Sequence, residues 1–94
     1  MVAVYTYRDL DEAIDAVNDT PYGLQAGIFT RDTKLLFQAY EELELGGLIA
    51  GDVPSFRIDH MPYGGVKDSG LGREGLRYAI EEMTEPKLLV MNIR

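Results

Sequence analysis

The sequence contains no cysteine and no tryptophan, a single histidine, and nine lysines and arginines against sixteen acidic residues. Without cysteine there is no disulfide, no thiolate zinc site and no cysteine nucleophile. A reducing compartment fits that composition. The net charge of −7 disfavours polyanionic partners, so neither nucleic acid nor an anionic membrane is expected. The acidic residues are scattered through helical stretches, where they read as a solvated face. His60 has no carboxylate at ligand spacing and no cysteine to share a metal with, so no metal site is expected. No apolar run approaches the roughly 18 residues of a membrane span. Arg8 and Asp9 interrupt the apolar start, and no basic segment follows Met1. No secretion signal is expected, and the expected home is cytoplasmic.

What is present reads as an α/β pattern. The 94 residues allow one small domain or a piece of a larger one. Val2–Tyr7, rich in β-branched and aromatic residues, predicts a strand. Asp9, three residues before Glu12, predicts a capped helix over Asp9–Asn18, with Leu10, Ala13, Ile14 and Val17 on one face. Asn18 and Asp19 fray it, and Pro21 stops it. Thr20–Gly23 is a turn whose glycine permits a positive φ. Leu24–Phe29 predicts a second strand, with Gly27 at a bulge or close backbone approach. Thr30 or Asp32 caps a second helix carrying Leu35, Leu36, Ala39, Tyr40 and Leu43, and Gly46-Gly47 supplies a left-handed stop. Leu48–Ala50 starts a third strand. A third helix begins near Gly75 with Leu76, Ala79, Ile80 and Met83 on one face, and Leu88–Ile93 predicts a last strand. The expected fold is a partial open sheet of about four strands with three helices.

Between Asp52 and Gly75 lies a glycine-studded stretch with no period of its own. Loops this long are usually functional or disordered. Ile58, Met61, Tyr63, Val66 and Leu71 argue for packing against a binding site or partner surface. Gly70-Leu71-Gly72-Arg73-Glu74-Gly75 matches the G-x-G-x-x-G of a dinucleotide cradle. That motif must directly follow a buried strand, and an acidic residue belongs about 20 residues on. Both are missing, so the glycines read as a turn that delivers a helix. Gly65–Gly70 lacks the spacing of a phosphate loop. His60 beside Asp59 has the makings of a general base, but a solvent-facing loop histidine is the plainer reading. Arg57 and His60 are placed to meet an anionic group.

Three short helices barely cover a parallel-type sheet, which needs both faces buried. Leu88–Ile93 is a bare apolar edge that invites a partner strand. The chain therefore reads as part of something larger. The alternative is a free-standing α/β interaction module that self-associates through that strand.

Asn18-Asp19-Thr20-Pro21-Tyr22-Gly23-Leu24, Gly27–Asp32, Met61–Gly75 and Thr84-Glu85-Pro86-Lys87, in this order and spacing, resemble the C-terminal part of the catalytic domain of the NAD(P)-dependent aldehyde dehydrogenase superfamily. The resemblance covers nearly the whole chain. The loop Val53–His60 looks most like members acting on small aldehydes such as lactaldehyde or phosphonoacetaldehyde. The family's chemistry uses a cysteine thiolate, hydride transfer to NAD or NADP, and a glutamate-activated water. This chain carries neither the cysteine nor the general-base glutamate nor a Rossmann unit. The resemblance thus implies an inactive piece with no catalytic residue of its own, and no cofactor binding by the chain alone. It implies a substrate-tunnel wall bearing Phe56, Arg57, His60 and Tyr63, and a structural pair of Arg73 and Glu85. It also implies that residues 87–94 form an oligomerisation strand and that the missing N-terminal part of the enzyme is a partner. Gly51 departs from the asparagine that many members carry there.

Overall fold

The computed structural model of the chain describes residues 1–93. Helix α1 spans Leu10–Asn18. Its cap is Asp9, whose Oδ1 accepts from the Glu12 amide at 2.9 Å, while Glu12 Oε2 reaches back to accept from the Arg8 amide at 2.9 Å. Two donors of the first turn region are thus satisfied by side chains, as a capping box does, one residue earlier than the standard pattern. Strand β1 is Tyr22–Gly23 and β2 is Gln25–Ile28. Helix α2 spans Thr33–Glu42, capped by Asp32, which accepts from the Lys34 amide at 2.9 Å. Strand β3 is Gly47–Ala50, β4 is Val66–Lys67, and α3 is Leu76–Met83.

The strands form two separate two-stranded sheets. Strands β2 and β3 pair in parallel, Gln25 against Gly47 through Ile28 against Ala50, with α2 as the crossover. Strands β1 and β4 pair antiparallel, Tyr22 against Lys67 and Gly23 against Val66. The second pair was not legible in the sequence. It ties the proline turn after α1 to the middle of the long loop.

Two of the expected strands form. Val2–Tyr7 and Leu88–Ile93 carry no strand pairing, and both segments are exposed. A β-rich segment becomes a strand only when a neighbour supplies the ladder, and no described segment does so. The expected oligomerisation strand, residues 87–94, includes Arg94, which lies outside the described residues.

The glycines behave differently from the sequence expectation. Gly46 and Gly47 do not have positive φ; α2 ends at Leu43, whose amide donates to Ala39 O at 3.0 Å. Gly46 is required by proximity, since a Cβ there would run into the Gly64 carbonyl oxygen. Gly23 likewise serves closeness, against the Glu44 carbonyl, and not a positive φ. Gly27 is the expected close approach: a Cβ would stand 2.5 Å from the Asp52 carbonyl oxygen.

The core is small. Among the described apolar residues only Ile14 on α1 and Ala39 on α2 are buried, on the two helices that contact each other. A cavity of about 190 Å³ remains beside them, lined by Val17, Ala26, Leu43 and Leu48 among others. The face of α3 expected to be apolar is uncovered, with Leu76 73% and Met83 84% exposed. The accessible surface is 8256 Å². A self-contained folded protein of this mass exposes roughly 5,400 Å². The radius of gyration is 18.2 Å, against about 12–13 Å for a compact chain of this length. Large uncovered apolar area on a protein surface marks a place where a partner, a ligand or a membrane binds.

Candidate functional site

The long loop is built on the turn that follows α1. The Gly46 and Gly47 amides donate to the Gly23 and Leu24 carbonyls at 3.1 Å, which sets the α2–β3 connection beside β1. From the other side, Ser69 Oγ accepts from the Gly23 amide at 2.8 Å, and the Asp68 amide donates to Pro21 O at 2.8 Å. Lys67, the one non-glycine described residue with positive φ (53°), aims its ammonium back under the turn. There it donates to the carbonyls of Asn18 at 2.9 Å and Thr20 at 3.1 Å, and pairs with Glu44 at 2.6 Å. The Asn18 side chain completes the knot, donating to Glu42 O at 2.8 Å and accepting from the Glu44 amide at 2.9 Å. Asn18 thus does more than fray its helix. Neither residue was given an anchoring role from the sequence, because their partners lie dozens of positions away; a lysine beside paired glycines was the only local signal.

This knot holds the second half of the loop. Tyr63 and Glu74 form an antiparallel bridge, with amide-to-carbonyl distances of 3.1 and 2.5 Å in the two directions. Gly70, Gly72 and Gly75 all have positive φ (137°, 73° and 111°), and they turn the chain into α3. That is the helix-delivering turn expected of the glycine motif. It does not fit a dinucleotide pyrophosphate. The Arg73 amide is engaged by Glu82 Oε1 at 3.2 Å, and the same oxygen would stand 2.5 Å from a Cβ on Gly72. A carboxylate lies where the phosphate would need to be, and the motif follows the two-residue, incompletely buried β4 and not a buried strand.

Of the four tunnel-wall candidates, the structure brings two together. The Arg57 guanidinium lies over the Tyr63 ring, 5.5 Å from its centroid, within range of a cation–π contact. Two carboxylates flank it: Glu74 at 3.2 Å from Nη2 and Asp59 at 3.6 Å from Nη1. Phe56 is partly exposed, its carbonyl accepting from Gln25 Nε2 at 3.4 Å. His60 is exposed, and none of the ion pairs of the described residues joins it to the Arg57 cluster. The Arg73–Glu85 pair is not among the ion pairs of the described residues. Arg73 Nη1 donates instead to the carbonyls of Gly65 at 2.9 Å and Gly72 at 2.8 Å, bracing the glycine turn from inside. Glu74 and Asp59 were missed as partners of Arg57. Asp59 is two residues away and was read only beside His60, and Glu74 only as part of the glycine motif.

Among the described residues no group of acidic or histidine side chains is arranged to hold a metal ion, and no helix is long and apolar enough to cross a membrane.

The chain is thus an α/β unit whose glycine loop is anchored on a proline turn and presents an arginine on an aromatic ring. Residues 1–89 match the aldehyde dehydrogenase family, and the chain belongs to that family. It is 55% identical over 92 residues to the 3-sulfolactaldehyde dehydrogenase of Priestia aryabhattai, covering 98% of this chain and 19% of that protein. It is 46% identical over 91 residues to the sulfoacetaldehyde dehydrogenase of Neptuniibacter caesariensis, covering 97% of this chain and 20% of the relative. Among solved structures it resembles aldehyde dehydrogenase 21 from Physcomitrella patens in complex with the reaction product succinate, with a TM-score of 0.85 and 53% identity over 90% of this chain and 18% of the other. It also resembles glyceraldehyde-3-phosphate dehydrogenase GapN from Methanocaldococcus jannaschii complexed with NADP, with a TM-score of 0.76 and 53% identity over 78% of this chain and 16% of the other. The chain spans about a fifth of the length of the curated relatives it matches.

Proposed function

We propose that this chain is the C-terminal part of the catalytic domain of an NAD- or NADP-dependent aldehyde dehydrogenase, which oxidises an aldehyde to a carboxylic acid. It contributes a substrate-tunnel wall and subunit contacts, and it is inactive alone. The observation that carries this reading is the pairing of near-complete family coverage with large uncovered apolar faces. A family segment with so much of its surface open needs the remaining polypeptide to bury it.

The substrate-facing residues in this reading are Phe56, Arg57, His60 and Tyr63. Phe56 and Tyr63 give apolar wall, and Arg57 and His60 give polarity and positive charge. The relatives named for sulfolactaldehyde and sulfoacetaldehyde act on aldehydes that carry a sulfonate. A guanidinium held flat on an aromatic ring suits a planar or trigonal anionic group, because its N–H donors keep one orientation. The substrate class proposed is therefore a short aldehyde with an anionic group at its far end. The nucleophile, the general base and the dinucleotide site belong to polypeptide outside these residues.

The uncovered apolar segment Leu88–Ile93 favours a second role, as an edge that pairs with a neighbouring subunit. It equally supports the alternative of a self-associating module without enzymatic partners.

The test is an aldehyde oxidation assay with NAD and with NADP, on the pure chain and on the full-length polypeptide that contains it. The expected result is turnover only in the full-length form. Cofactor-dependent turnover by the pure chain contradicts the reading; absence of turnover in both favours the interaction module.

A further inference from the structure

Arg57 is one cation between two carboxylates, and the two are held very differently. Glu74 is rooted on the two-way backbone bridge to Tyr63, the residue whose ring lies against the Arg57 guanidinium. Glu74, Tyr63 and Arg57 therefore form one unit. Asp59 sits on the free side, at 3.6 Å from Nη1, with its side chain fully exposed at 101%. Its carboxylate can swing into water without disturbing any other contact. Asp59 and Glu74 set two negative charges against the one positive charge of Arg57, so an anionic substrate group is drawn by Arg57 but opposed by its immediate neighbours.

We propose that Asp59 is a specificity-determining residue. Its carboxylate occupies the Nη1 edge of Arg57 that would receive the anionic group of an aldehyde, and so sets how strongly anionic aldehydes are preferred over neutral ones. The inference rests on the reading of Arg57 as part of the tunnel wall. The physics is competition: one carboxylate of the protein and one sulfonate or carboxylate of the substrate seek the same N–H donors. Glu74 competes less, because its Oε2 accepts a hydrogen bond from Nη2 at 3.2 Å, a contact closer than the 3.6 Å of Asp59. An exposed ion pair of this kind changes an equilibrium by about two- to fivefold.

The test uses the full-length enzyme containing this chain, with sulfoacetaldehyde as the anionic substrate and propionaldehyde as the neutral one. The readout is the ratio of kcat/KM for the two. Asp59→Asn and Asp59→Ser should each raise that ratio about two- to fivefold, through a lower KM for sulfoacetaldehyde, and the gain should shrink as ionic strength rises. A merely structural role would move both substrates together and show no such salt dependence. Arg57→Gln should lower the ratio. If Arg57→Gln leaves the ratio unchanged, the tunnel-wall reading of Arg57 is wrong. If Arg57→Gln lowers it but both Asp59 variants leave it unchanged or reduce it, the tunnel wall stands and the role given to Asp59 is overturned.

Discussion

The Lys67 ammonium donates to the backbone carbonyl of Asn18 at 2.9 Å, across 49 positions of sequence. This contact joins the end of α1 to the strand that starts the glycine turn. It is reinforced by Thr20 and Glu44, and the lysine side chain is only 25% exposed. Replacing Lys67 by methionine keeps the stem and removes all three polar contacts. Hydrogen bonds to a charged group contribute about 1.5–3 kcal/mol each, less where a partner such as Glu44 is exposed. The expected loss is about 1–2 kcal/mol of local stability, or roughly 5- to 30-fold in the open population. Amide hydrogen exchange checks it: the Asp68 and Gly46 amides, which donate to Pro21 and Gly23, should exchange faster by that factor. Unchanged exchange would mean that the knot holds without Lys67.

Glycines at 46 and 51 should answer differently to alanine. Gly46 has no room for a Cβ beside the Gly64 carbonyl, and the obstacle is backbone, which cannot step aside cheaply. Gly51 has a φ of 77° but open space around it. The first substitution should cost about 2–3 kcal/mol through overpacking, and the second about 1–2 kcal/mol through left-handed backbone strain. Limited proteolysis, which follows the open population, should therefore cut Gly46→Ala faster than Gly51→Ala, and both faster than the parent. The reverse order would contradict the close approach of the two loops.

The last segment carries the oligomer prediction. Leu89 and Met91 are alternate residues, both exposed. In an extended strand alternate side chains share a face. Changing both to lysine should abolish self-association if that face meets another copy, with light scattering reporting the fall to monomer mass. An unchanged mass would assign self-association to another surface.

The helices were legible because their information is local. Asp9 and Asp32 announce the starts of α1 and α2, and the spacing of Leu10, Ile14 and Val17 announces the inner face of α1. Gly27 was legible as a close approach because a glycine inside a β-rich run has few other reasons to be there. Val2–Tyr7 and Leu88–Ile93 form no strand within the chain because β character describes a fit to a neighbouring strand, and they have none among the described residues. Gly46 was given a conformational reason when the real one is distance: its φ is ordinary, and Gly64, 18 positions on, is what excludes a side chain. Arg57 was read as a cation awaiting an anion. Its carboxylate neighbours come from a bridge between Tyr63 and Glu74 that no local pattern announces.

The most direct measurement is sedimentation of the chain over a wide concentration range, paired with urea unfolding followed by circular dichroism. Exposed surfaces of this size predict a mass that rises with concentration and a broad, weakly cooperative unfolding curve. A concentration-independent monomer with one sharp unfolding transition would contradict the claim that these apolar faces belong against polypeptide outside this chain.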